Sequence, residues 1–224
     1  MTSKNQPSKR KDSLSIDEIL AQVQPTPVIE RGLSIERKTE IIAEKFHEIM
    51  ETLGLDMKHE SLSKTPKRIA KMYVNEVFSG LIKENFPRIS TIPNDMDYDQ
   101  MIAIENIKVL SVCEHHFQTI DGVATVAYIP NKKVIGLSKV NRVVEYFARR
   151  PQVQERLTKQ IADCLQSVLE TEHVAVHISA KHYCVIARGV EDANSSTSTS
   201  DLRGDFKRND MTRREFLQHC RLAT

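Results

Sequence analysis

The sequence predicts an α+β fold, and three observations predict it. Before residue 99, apolar side chains recur every three or four positions, the spacing of helices with one buried face. After residue 99, Val and Ile gather in short alternating runs bounded by turn residues, the texture of strands. The order is helices, two strands, two helices, then a strand, and that segregation fits α+β better than an alternating α/β fold.

Residues 1–33 read as a polar tail with one short helix, "SIDEILAQVQ", stopped by Pro25 and Pro27. Its opening, "MTSKNQPSKRKD", is basic and reads as solvated. Residues 34–98 form a helical region. Ile42, Phe46, Ile49 and Leu53 make one apolar face of its first helix. "SKTPKRIAKMYVNEVFSGL" is its second, with Thr65 as N-cap, Pro66 at the first helical position and Gly80 as the stop. Ile69, Met72, Tyr73 and Val77 are the face of that helix. Residues 99–224 carry the strands. "MIAIENIKVLSV" and "GVATVAYIP" are read as two of them, and "PNKK" turns the chain into a short third, "VIGL". Helices follow over "SKVNRVVEYFARR" and, starting at Pro151, over "PQVQERLTKQIADCLQSVLE". "VAVHISAKHYCVIA" alternates as a strand does. Thr212 and Glu215 make a capping-box pattern for a last helix, "RREFLQHC". The run "SSTSTS", Ser195 to Ser200, reads as a loop by composition.

Composition excludes more than it selects. With 32 basic and 30 acidic side chains, the net charge of +2 gives no basic surface for general nucleic-acid binding. No apolar run approaches a membrane span, and no signal-peptide core follows the N-terminus. Four scattered cysteines do not make a disulfide scaffold in 224 residues. The expected compartment is the cytoplasm, where thiols stay reduced and free for metal.

Two clusters point to a metal. Cys113 and His116 stand three apart in "CEHH", a spacing by which one turn aims two donors at one ion. His182 and Cys184 in "HYC" would share a strand face as i and i+2. Together they fit zinc, either as a closed four-ligand cage or as three ligands with an open position. Spare imidazoles, His115 among them, and a core large enough to need no staple lean towards catalysis. Cys164 and Cys220 read as packing residues.

A second group suggests an anion site. "VIGLSKVNRVV" passes from strand to helix, so Ser138 and Lys139 stand where free N–H groups and the helix dipole favour phosphate, with Arg142 a turn further on. Arg188 adds a cation four residues after Cys184. No P-loop motif is present, so any nucleotide is held by other means. Glu155, beside Gln154, offers a carboxylate that can accept two hydrogen bonds from guanine, or merely favours a helix start.

"CEHHF", "GVATVAYIP", "VIGLSKVNRVVEYFARRPQVQERLT" and "HYCVIARGVEDANSSTSTS" together resemble GTP cyclohydrolase I, as does "TPKRIAKMYVNEVFSGL". The resemblance runs from about Ser34 to the C-terminus and leaves the first ~30 residues out. It implies a T-fold, a four-stranded antiparallel sheet with helices on one side, assembled into a ring that is commonly a homodecamer. It implies hydrolysis of GTP to 7,8-dihydroneopterin triphosphate and formate, the entry to folate and tetrahydropterins. Cys113, His116 and Cys184 would hold zinc, and His115 and His182 would be acid–base catalysts. Ser138, Lys139, Arg142 and Arg188 would hold the triphosphate, with Arg68 reaching in from a neighbouring subunit. Gln154 and Glu155 would grip the guanine. The resemblance also bears on "SSTSTS", which falls inside the patterned region and so weakens the loop reading.

Overall fold

The computed structural model describes residues 14–221, so the basic opening "MTSKNQPSKRKD" lies outside the described residues. Three helices lead the chain: α1 (Ile16–Ala21), α2 (Ile35–Thr52) and α3 (Thr65–Met72). Ser15 caps α1 through a complete capping box with Glu18, and Ile19 and Val23 drop into the main core. α2 buries Met50, while Ile49 and Leu53 of its expected face stay exposed. The N-cap of α3 is Lys64, one residue before Thr65, and no side chain bonds the helix start there. The helix does not run regularly to Gly80. It widens into a π-turn over Tyr73–Val77, which carries Tyr73 and Phe78 round to meet the strand region.

Seven strands follow: β1 (Thr91–Pro93), β2 (Ile102–Cys113), β3 (Thr119–Tyr128), β4 (Lys133–Ile135), β5 (Pro151–Gln152), β6 (Val174–His182) and β7 (Thr197–Leu202). Between them lie α4 (Leu137–Ala148), α5 (Gln154–Leu169) and the single turn α6 (Tyr183–Ile186), and α7 (Asp205–Arg208) and α8 (Asp210–Arg221) close the chain. β1 and β4 form a small antiparallel pair. The main sheet runs β5-β2-β3-β6-β7. One extra residue in β2 between Ile104 and Ile107, with Asn106 at φ 55°, makes a bulge that keeps both isoleucines facing the same side. Val174, Val176, Ile178 and Ala180 alternate inward along β6. They pack with Val140, Val143, Val144 and Phe147 of α4 and Leu157, Ile161 and Leu165 of α5 as one core.

Five further expectations need correction. The sheet has five strands, because the two-residue β5 joins the antiparallel four in parallel with β2. Pro151 therefore stands in a strand, and α5 starts three residues later at Gln154. Helices lie on both faces: Phe206 of α7 and Phe216 of α8 pair edge to face and cover Ala127 and Ala175, whose small side chains admit them. The run "SSTSTS" enters β7 at Thr197. It holds its place with polar partners, since Thr199 Oγ1 meets Thr158 Oγ1 at 2.6 Å and Ser200 Oγ meets His177 Nδ1 at 2.9 Å. The last helix, finally, begins at Asp210. Its cap is Asn209, whose Oδ1 accepts from the Met211 N–H at 2.9 Å, so Thr212 lies inside the helix.

Candidate active site and metal centre

β2 ends on the buried Cys113, and the chain turns back into β3 at Thr119. The turn is closed by the Cys113 N–H on the Gln118 carbonyl (2.8 Å) and the Phe117 N–H on the Cys113 carbonyl (2.9 Å). Phe117 holds the left-handed φ of 52° that a bulky side chain seldom adopts. Its ring packs against Phe78 at 5.4 Å and Tyr73 at 6.3 Å, contacts that offset the strain. On the neighbouring strand, β6 stops at His182 opposite Ile120, and Cys184 already belongs to α6. His182 and Cys184 therefore do not share a strand face. The helical turn instead carries Cys184 to Cys113.

One donor atom each from Cys113, His116 and Cys184 lie within 4.8 Å of one another. Among the described residues this group has three members, and His182 is not one of them. Burial pushes the Cys184 thiol up, and the Cys113 thiol beside it adds to the rise. Two thiolates this close disfavour each other unless a cation lies between them. Two sulfurs and an imidazole are the donor set that suits zinc. Arg188 Nη1 donates to His116 Nε2 at 3.0 Å, so the ring is neutral and its one lone pair faces the guanidinium; a metal ion bound by His116 would displace that contact. The other thiols are poor donors: burial holds Cys164 up at about 12 and Cys220 at about 11.

Two further histidines flank the group. His115 Nδ1 lies 3.8 Å from Cys113 Sγ. His182 Nε2 lies 2.8 Å from Gln154 Oε1. The Gln154 amide is only 1% exposed, and its Nε2 donates to the Ile178 carbonyl (3.0 Å) and the Thr197 carbonyl (2.9 Å). Carbonyls only accept, so the amide can face one way, with Oε1 towards the imidazole. His182 Nε2 is then the protonated nitrogen, and Nδ1 is free to exchange a proton. Burial pushes the His182 pKa down, and the Glu155 carboxylate nearby pulls it back up. Glu155 itself is exposed.

The remaining predicted residues lie on other elements. Ser138, Lys139 and Arg142 occupy the first two turns of α4, whose start has no side-chain cap. Arg142 lines a cleft of about 490 Å³ with Asn75, Ser79, Glu145 and Arg149. Arg68 is exposed on α3. No side-chain hydrogen bond or ion pair among the described residues joins these four to the metal group. Sequence reasoning missed Arg156 and Gln152. Arg156 Nη2 pairs with Glu114, in the turn between Cys113 and His115, and its Nε donates to Gln152 Oε1 at 3.0 Å. The first turn of α5 thus sends Gln154 to His182, leaves Glu155 to solvent, and sends Arg156 to the metal turn.

Known proteins resemble the chain over most of its length. The sequence model of GTP cyclohydrolase I matches residues 42–221. The chain is 55% identical to a GTP cyclohydrolase 1 of Shewanella loihica over 87% of its own length and 91% of that relative. It is 54% identical to one of Aliivibrio salmonicida, over 92% and 94%, and to one of Yersinia enterocolitica, over 91% and 92%. The match spans the strand end that bears Cys113, the helical turn that bears Cys184 and the helix α5 beside them, and the chain belongs to the GTP cyclohydrolase I family.

Proposed function

We propose that the protein hydrolyses GTP to 7,8-dihydroneopterin triphosphate and formate, with zinc held by Cys113, His116 and Cys184. The observation that carries this reading is the convergence of two sulfurs and an imidazole within 4.8 Å, beside two further histidines. When bound, the ion supplies Lewis acidity that makes water a competent nucleophile at neutral pH. The protein's own residues then do the rest. His182, fixed as the Nε2–H tautomer by Gln154, presents Nδ1 for proton exchange with the guanine ring as water adds at C8. His115 moves protons during ring opening and release of formate. The freed amine permits an Amadori rearrangement of the ribose and closure to the pterin.

Glu155 accepts from the guanine N1–H and amino group, and its exposure leaves it free to do so. Ser138, Lys139, Arg142 and Arg188 hold the triphosphate, the first three with the uncapped start of α4. The lack of any side-chain hydrogen bond or ion pair from Ser138, Lys139 or Arg142 to the metal group among the described residues, and the exposed Arg68, support sites completed between subunits. Exposed Ile49 and Leu53 on α2 support the same assembly, a T-fold ring commonly of ten chains. In this reading residues 34–98 form the helical region, 99–224 the catalytic domain, and the enzyme works in the cytoplasm as the first step towards tetrahydrofolate or tetrahydropterin.

Incubation with GTP tests the reading, with formate and a fluorescent oxidised pterin as products. Cys113→Ala, His116→Ala and Cys184→Ala should lose both zinc and turnover, whereas His115→Ala and His182→Ala should lose turnover alone. A His182→Ala protein as metal-free as Cys184→Ala would favour a four-ligand structural site instead.

A further inference from the structure

We propose that Arg156 is a positioning residue that fixes the metal-bearing turn through Glu114, and that a one-way chain of buried amides aims it. The role rests on the functional reading above. Glu114 lies between Cys113 and His115, so whatever holds it sets where a ligand and a proposed catalyst point. Its backbone N–H donates to the Gln152 carbonyl at 3.0 Å, and its carboxylate pairs with Arg156 Nη2. The same Nη2 also donates to the Pro151 carbonyl at 3.2 Å. Side chain and backbone of Glu114 are therefore tied to the same two-residue strand, β5, and to the helix that follows it.

The amides behind Arg156 allow one arrangement. The carbonyl of Gln24 only accepts, so Gln160 Nε2 donates to it at 2.7 Å, and also to Thr26 Oγ1 at 3.0 Å. Gln160 Oε1 then faces Gln152 Nε2 at 2.8 Å, which also donates to the Phe147 carbonyl at 2.8 Å. Gln152 Oε1 is left as the acceptor for Arg156 Nε at 3.0 Å. Gln152 and Gln160 are both fully buried, where an amide turned the wrong way would set like groups against each other. The guanidinium is locked at its Nε edge and offers Nη2 to Glu114. A lysine has no second edge to lock.

Zinc-loaded wild type, Arg156→Gln, Arg156→Lys and Glu114→Gln should be compared in two assays. One is zinc release to a chromogenic chelator; the other is kcat and KM for GTP. Arg156→Gln and Glu114→Gln should each speed zinc release and lower kcat by roughly 10–100-fold, with KM within about threefold. Arg156→Lys should fall between them and wild type. The double variant should be no worse than either single, because both remove one interaction. Unchanged zinc release and kcat in the two singles would overturn the proposal, as would losses that multiply in the double variant. If Arg156→Gln does not fold, Glu114→Gln breaks the pair from its more exposed end and decides alone. A wild type that releases no formate from GTP would sink the functional reading, and zinc release would still judge Arg156.

Discussion

Exchange of Gln154 for leucine would keep its volume and remove the acceptor that sets the His182 tautomer. Because the amide nitrogen already donates to two carbonyls, it has little left for a substrate. Gln154→Leu should retain zinc and lose kcat by roughly 10–100-fold, with KM for GTP nearly unchanged. Metal analysis and steady-state kinetics check this, and a rise in KM alone would put the amide on the guanine. Glu155→Ala should behave oppositely. It should weaken GTP binding by about 1.5–3 kcal/mol for each lost charge-assisted bond and leave the metal in place, which titration calorimetry reads. Cys113 and His116 were legible in the sequence because a thiol and an imidazole three apart are scarce, and Cys184 because it stands beside His182; the resemblance, not the spacing, chose Cys184 over His182. Arg156 was not. An arginine near a helix start is ordinary, and its partner is 42 residues away.

On β3, Gly122 pairs with Ala180 of β6 at close backbone approach. A Cβ there would overlap the Ser179 carbonyl oxygen and the Ala180 backbone, so only glycine fits. Gly122→Ala should part the two strands next to the His182 end and lower stability by about 2–4 kcal/mol. The urea midpoint measures the loss. Elements were legible where apolar period decided them, as in β2, β3, α4 and α5. They were illegible where polar partners decided. A single apolar residue, Leu202 at its end, marks β7, whose Thr199 is held by Thr158. A similar limit applied at "HYC": alternation runs on through the apolar Val185 and Ile186, but the backbone turns helical after His182.

Away from the metal group, burial raises four neutral acids among the described residues, Cys164 to about 12, Cys220 to about 11, and Tyr128 and Tyr146 above their ordinary range. Their folded pKa values exceed the unfolded ones of about 8.5 for thiols and about 10 for tyrosine. The stability they contribute is complete below about pH 8.5 and is lost as pH rises towards the folded values, because the unfolded chain releases its protons first. Each buried thiol can add at most ~1.4 kcal/mol per pH unit to that decline. Urea midpoints of the zinc-saturated protein should fall between about pH 9 and 11, and Cys164→Ala should flatten the fall. The α+β class and the strand that ends on Cys113 could be read from sequence. The second helical face could not, because alanines at 127 and 175 advertise no partner until Phe206 and Phe216 arrive.

Gln154, Glu155 and Arg156 stand at the start of α5, each about 100° further round the helix than the last. One faces a histidine, one faces solvent, and one faces the metal turn. A residue gained or lost between Pro151 and Gln154 would turn the whole fan by one step and misdirect all three at once. Exchange of one side chain removes one contact, but a change of length here misplaces all three. Lineages descended from this sequence should therefore keep the count of residues in this stretch fixed.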